Sequence, residues 1–148
     1  MTWKPNVTVA AIIEREGQFL MVEEDTAQGL RLNQPAGHLE EFESLLEASV
    51  RETLEETAHH FSPDALVGVY QWVSPDNGLT YLRFAFTGQA SGPVAGRSLD
   101  VGIVRALWMS RDDIASSSAQ HRSPLVARCV EDYCAGRRYP LNLIETFC

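Results

Sequence analysis

Between residues 37 and 56 the chain reads Gly37, five residues, Glu43, seven residues, Arg51-Glu52, two residues, Glu55-Glu56. At about 100° of helical rotation per residue, Glu52, Glu55 and Glu56 share a stripe roughly 100° wide. Three carboxylates so placed repel one another: a like-charge pair near 4 Å costs about 4 kcal/mol at an effective dielectric near 20, and one-sign clusters at i,i+3 and i,i+4 weaken a helix. A bound divalent cation reverses the sign of that interaction. Carboxylates and backbone carbonyls are hard oxygen ligands, which suits Mg²⁺, with Mn²⁺ able to substitute, and not zinc.

The rest of the segment reads as the scaffold for such a site. Ser44 followed three residues later by Glu47 is a capping box, so the helix starts there. Leu46, Val50 and Leu54, flanked by Thr53 and Thr57, have the spacing of a stripe resting on a core, which turns the glutamates towards a cleft or water. Arg51 reaches Glu47 and Glu55 as i±4 partners. Pro35-Ala36-Gly37-His38 reads as a turn whose glycine lets backbone approach whatever the glutamates bind. A helix with glutamates along one side is ordinarily only a solvated amphipathic helix. The fixed spacing argues otherwise, because six matched positions arise by chance in a chain this long with a frequency on the order of 10⁻⁵.

That run resembles the signature of the Nudix hydrolases. The family pattern continues past the glutamate pair with any residue, a glycine and an apolar residue; here Thr57 fits, Ala58 stands at the glycine and His59 at the apolar position, and Thr53 replaces the usual aliphatic. These departures fall at packing and helix-exit positions. The resemblance implies that Glu52, Glu55 and Glu56 bind a catalytic Mg²⁺ with help from the Gly37 carbonyl, that Arg51 orients the glutamates and that Glu43 supports the loop. It also implies an α/β fold, an α/β/α sandwich with a mixed β-sheet. Further blocks, among them Lys4-Pro5, Asn33 to Glu40, Gln71-Trp72, Arg122 to Val126 and Arg138 to Leu141, are similar to a subgroup of bacterial phosphatases in that family. That subgroup removes orthophosphate from nucleoside di- and triphosphates and hydrolyses hydroxymethylpyrimidine pyrophosphate, a thiamin precursor.

Composition bounds the remaining possibilities. With 148 residues, 45% of them hydrophobic, the chain is expected to form one domain over 1–148 with a sizeable core. A formal charge of −8, with acidic residues clustered at 40 to 56, argues against a nucleic-acid polymer as partner. The substrate expected is a small nucleotide or diphosphate, which an acidic protein repels unless metal intervenes. The longest apolar stretch, Val7 to Ile13, is too short for a membrane span, and Met-Thr-Trp-Lys-Pro carries no apolar signal core, so a cytoplasmic location is expected. Cys129, Cys134 and Cys148 are odd in number and lack C-x2-C spacing, as reduced thiols do; Cys148 receives no role. Either a monomer or a homodimer fits.

The elements expected are strands at Val7 to Ile13 and Gln18 to Val22 joined in a hairpin by Glu14 to Gly17, strands at Ala65 to Val73 and Leu79 to Thr87 around the Ser74-Pro75-Asp76-Asn77-Gly78 turn, a linker from Gly88 to Ser98, a strand near Val101 to Met109, and helices at Asp112 to Ser117 and Leu125 to Cys134, the latter capped by Ser123-Pro124. For substrate, Lys4, Arg31 and Arg83 are candidate phosphate contacts; Trp72, Tyr70 and Phe84 are candidate stacking surfaces, although aromatic residues on strands more often fill cores. His38 either contacts phosphate or caps its loop. Glu55 or Glu52 is favoured as general base, with Asp100 as a late-loop alternative. The competing function is a binding or sensor module of the same fold without turnover, which as a rule lacks one of the glutamates present here.

Overall fold

The apolar run at the start of the chain is buried on both faces, which decides the topology. The computed structural model describes residues 2–147. Strand β1 (Asn6–Ile12) lies inside a mixed four-stranded sheet of order β5-β1-β7-β6, with β5 at Ala36–His38, β6 at His60–Val73 and β7 at Thr80–Ser91. β1 is parallel to β7 and antiparallel to β5, and β6 is antiparallel to β7. A second, antiparallel sheet centres on β3 (Gln18–Thr26), which pairs with β2 (Glu14–Arg15), β4 (Gly29–Asn33) and β8 (Ile103–Ser110).

Helix α1 (Leu45–Thr57) covers one side and helices α2 (Arg111–Ser116) and α3 (Leu125–Cys134) the other. Alternate residues of β1 feed two cores: Val9, Ala11 and Ile13 pack with Phe86 and Ala48 on the α1 side, while Ala10 and Ile12 pack with Ala85, Val126 and Val130 on the α3 side. This is the α/β/α sandwich with a mixed sheet that the sequence led us to expect. Among the described residues no helix is long and apolar enough to cross a membrane.

Several local expectations are corrected. The turn at Glu14 to Gly17 joins β2 to β3, pairing Glu14 with Phe19 and Arg15 with Gln18; of the expected Val7 to Ile13 strand only Ile13 reaches across it, its carbonyl accepting the Leu20 N–H at 3.0 Å. Glu16 and Gly17 both take positive φ (52° and 79°), as a twist-matched two-residue turn requires. β1 instead takes partners from distant segments on both edges, β5 antiparallel and β7 parallel, and the parallel pairing goes with a strand covered on both faces. Pro35 to His38 is not simply a turn, since Ala36–His38 is strand β5 against β1. Gly88 opens no linker: it lies inside β7, where a Cβ would sit 2.0 Å from the Ser62 carbonyl oxygen, so glycine there serves close strand approach.

On α1 the capping box is present, Glu47 N donating to Ser44 Oγ and Ser44 N to Glu47 Oε1, both at 3.0 Å. The buried stripe is made of Ala48, Ser49, Thr53, Glu56 and Thr57, whereas Leu46, Val50 and Leu54 are only half-buried. Thr53 and Thr57 hydroxyls donate to the carbonyls of Ser49 and Thr53 (2.8 and 2.7 Å), so the hydroxyls are satisfied inside the helix and small side chains bring it close to the sheet. The helix ends at Ala58 in the left-handed region (φ 58°, ψ 24°), its N–H bonded to the Leu54 carbonyl at 3.0 Å. The family's usual glycine would carry no strain here. Ala58→Gly is therefore expected to raise stability by roughly 0.5–1 kcal/mol in urea unfolding; a lower stability would show that the buried methyl outweighs the strain. His59, at the usually apolar position, is a buried ring packed edge-on to Trp108 at 5.9 Å.

Candidate active site

The carboxylates of α1 are organised by one arginine. Arg51 grips Glu43 in a fork, Nε to Oε2 at 2.6 Å and Nη2 to Oε1 at 2.9 Å, and its Nη1 meets Glu52 Oε1 at 2.8 Å and Glu55 Oε1 at 3.1 Å. Nη2 also donates to the His38 carbonyl at 3.0 Å. Glu47, expected as a partner, is committed to the capping box and does not pair with Arg51 among the described residues. The guanidinium holds the Glu43 carboxyl below the usual carboxylate range, and the carboxylates keep Arg51 firmly charged. Glu43 in turn accepts from Glu40 N at 3.1 Å, which folds the loop between β5 and α1 back onto Arg51.

Glu56 lies deeper than an outward-facing glutamate would. Only 8% of it is exposed, and its Oε1 accepts the Ala36 N–H from the edge of β5 at 2.9 Å. Burial, with Glu24, Glu52 and Asp100 adding their charge, pushes its pKa up to about 9. Burial also raises Glu52. Asp100, carried by the loop after β7, donates its backbone N–H to the Glu55 carbonyl at 2.9 Å, and burial followed by the Glu55 charge raises its carboxyl. One oxygen each from Glu52, Glu55 and Asp100 lies within 4.8 Å of the others. An all-oxygen donor set with several carboxylates and one arginine fits a hard divalent cation, and its chemistry fits Mg²⁺ or Mn²⁺ better than a thiophilic metal.

Gly37 explains itself against Glu52. It sits in β5 opposite Val9, where a Cβ would lie 2.1 Å from Glu52 Cδ. The glycine therefore permits contact between strand and carboxylate, and needs no unusual dihedral.

Of these groups Glu52, Glu56 and Gly37 line a cleft of about 540 Å³ together with His38, Trp72 and Tyr81; Arg51, Glu55 and Asp100 do not line it. The rings of Trp72 and Tyr81 stack at 5.8 Å with a 30° interplanar angle. Arg31 lines the cleft; Arg83 lines it too, but from beneath, only 6% exposed. Lys4 is exposed and does not line the cleft. Tyr70 donates to Asp132 Oδ2 at 2.7 Å beside a separate groove of about 490 Å³ between β6 and α3, and Phe84 packs on the α1-side core. Neither ring reaches the carboxylates' cleft.

Glu24, Asn33, Tyr81 and Arg122 also line the cleft; Glu24 and Tyr81 were not singled out from the sequence, and Asn33 and Arg122 stood only inside blocks of resemblance, without a role. Glu24 receives Arg122 Nη1 at 2.5 Å and Asn33 Nδ2 at 3.4 Å, which ties the loop before α3 to β3 and β4. No local spacing signals those three residues. Tyr81 was within reach, because counting outward through the Ser74 to Leu79 turn sets it opposite Trp72.

A family model described as the NUDIX domain matches residues 3–129. The chain is 42% identical over 146 residues to a protein named Phosphatase NudJ in Escherichia coli K12, covering 98% of this chain and 94% of that one. A Shigella flexneri protein of the same name matches to the same extent. Among solved structures, a NUDIX hydrolase from Nitrosomonas europaea is 53% identical with a TM-score of 0.95, covering 97% of this chain and 98% of the other. A MutT NUDIX hydrolase from Burkholderia pseudomallei, 21% identical with a TM-score of 0.74 over 88% of this chain and 98% of that one, shares the fold.

Proposed function

The chain belongs to the Nudix family of hydrolases that act on phosphoanhydride bonds, and on that premise we propose that it is an Mg²⁺-dependent phosphatase of nucleoside di- and triphosphates and of small diphosphates such as hydroxymethylpyrimidine pyrophosphate, releasing orthophosphate in the cytoplasm. The observation that carries the metal requirement is the convergence of one oxygen each from Glu52, Glu55 and Asp100 within 4.8 Å of one another, with Glu52 and the neighbouring Glu56 lining the cleft. Similarity to proteins named as phosphatases supports attack at a terminal phosphorus.

Glu52, Glu55, Glu56 and Asp100, with the Gly37 carbonyl, would hold the ion. Bound there, it supplies charge neutralisation on phosphate oxygens and a more acidic water. Arg51 keeps the Glu52 and Glu55 oxygens aimed at the site and stays out of the cleft itself. The proton of the attacking water passes to Glu55 or Glu52, with Asp100 a third acceptor in the same cluster. Trp72, paired with Tyr81, offers a flat apolar surface at the far end, which tolerates any planar ring and makes selection among bases loose. Arg31 and Arg83 supply positive charge along the way.

Chromatography of products from a panel of mono-, di- and triphosphates tests this reading. A nucleoside triphosphate is expected to yield diphosphate plus orthophosphate, and a diphosphate to yield monophosphate plus orthophosphate. Monophosphate plus pyrophosphate as the main early products would overturn the terminal attack.

A further inference from the structure

The face of the sheet that floors the cleft is laid out in rows by the strand register. Ala36, Ala10 and Ala85 form one row across β5, β1 and β7; His38, Thr8 and Arg83 form the next; Tyr81 and Trp72 belong to the one after. Successive rows are about 7 Å apart along the strands. Glu56 binds the Ala36 N–H, so the carboxylates mark the first row. A substrate reaching from the carboxylates to the aromatic pair crosses the middle row.

Arg83 in that middle row is a buried cation with no carboxylate of its own. Its acceptors among the described residues are neutral: Gln34 Oε1 at 2.9 Å, Asn33 Oδ1 at 3.0 Å and the Cys129 thiol at 3.9 Å. Gln34, itself 1% exposed, is fixed in turn by donating to the Val126 carbonyl of α3 at 2.8 Å. Burying a guanidinium without an anion is unfavourable. The charge is held at the cleft by neutral acceptors, the nearest linked carboxylate being Glu24 on the far side of Asn33.

We propose that Arg83, Thr8 and His38 form a seat for a phosphate of the leaving group, and that Asn33 and Gln34 are positioning residues that hold the Arg83 fork in that seat. The inference rests on the phosphoanhydride reading of the cleft and assigns residues to the phosphate that stays on the leaving group. Leaving groups that carry their own phosphate, as nucleoside diphosphates and the phosphate esters of small alcohols do, occupy the seat. Simple phosphate monoesters leave it empty and are poor substrates.

Calorimetric titration of chelator-treated protein with inorganic phosphate tests the seat independently of turnover. The parent should bind saturably, Arg83→Gln about 10- to 100-fold more weakly, and Thr8→Val, a near-isosteric change that leaves the arginine clamp untouched, about 3- to 10-fold more weakly. Equal affinity in Arg83→Gln and the parent, or no saturable binding by the parent, overturns the seat. Gln34→Met should raise KM for a hydrolysed triphosphate about 10-fold with a smaller change in kcat. A lowered melting temperature with unchanged KM would make Gln34 structural only. If no di- or triphosphate is turned over while Arg83-dependent phosphate binding persists, the proposed function fails and the seat stands; if turnover persists without it, the seat alone fails.

Discussion

Glu56→Gln and Glu52→Gln are each expected to lower Mg²⁺-supported turnover about 100-fold or more, because each removes a charged oxygen from the cation site. Folding should survive both. In Glu56→Gln the amide oxygen still accepts the Ala36 N–H that Glu56 binds at 2.9 Å. The pH dependence is the sharper reading. In the metal-free protein Glu56 has its pKa raised from an ordinary 4.5 to about 9, so between those values the folded state binds more protons than the unfolded one. Stability in chelator should therefore fall as pH rises through that window, by at most about 1.4 kcal/mol per pH unit for one proton. Glu56→Gln should flatten the slope and be at least as stable as the parent at pH 8. Urea unfolding at pH 5 and pH 8 in chelator reads both effects; a large loss of stability in the variant would contradict the picture of mutually repelling carboxylates.

Gly37→Ala should be nearly as damaging, about 100-fold in turnover, without removing any ligand atom. Its Cβ would lie 2.1 Å from Glu52 Cδ, so the carboxylate must move, and Arg51 Nη1 at 2.8 Å holds that carboxylate where it is. Strand β5 tolerates alanine, since Gly37 is not among the positive-φ glycines. The expected signature is a lost metal response with a melting temperature in chelator close to the parent's. Parent-like turnover would show that Glu52 has freedom to swing aside.

Helix α1, its capping box and α3 at Leu125 to Cys134 were legible because caps and 3.6-residue periodicity are local signals. The turn between Val73 and Thr80 was legible for the same reason. β5 was not: three residues, Ala36 to His38, carry no periodicity and become a strand only because β1 needs a partner on that edge. The core stripe of α1 was read in part: Leu46 and Val50 pack against the α1-side core, whereas the fully buried positions are the smaller Ala48, Ser49, Thr53 and Thr57, with Glu56, which apolar spacing does not single out. At the site, the acidic run announced its chemistry through charge repulsion. What surrounds it did not: Glu24, Asn33 and Arg122 come from three separate segments, and nothing in the sequence shows that Arg83 is buried and clamped by Asn33 and Gln34. Such residues are placed by register between strands distant in sequence, which a single chain does not display.

The most direct test is to strip the protein with chelator, supply a nucleoside triphosphate, and titrate Mg²⁺ while separating the products. No turnover should occur before metal is added. Hydrolysis should then rise saturably with Mg²⁺, releasing orthophosphate in step with nucleoside diphosphate, and Mn²⁺ should substitute. Metal-independent hydrolysis, or saturable Mg²⁺ binding with no phosphoanhydride cleaved, would contradict the account.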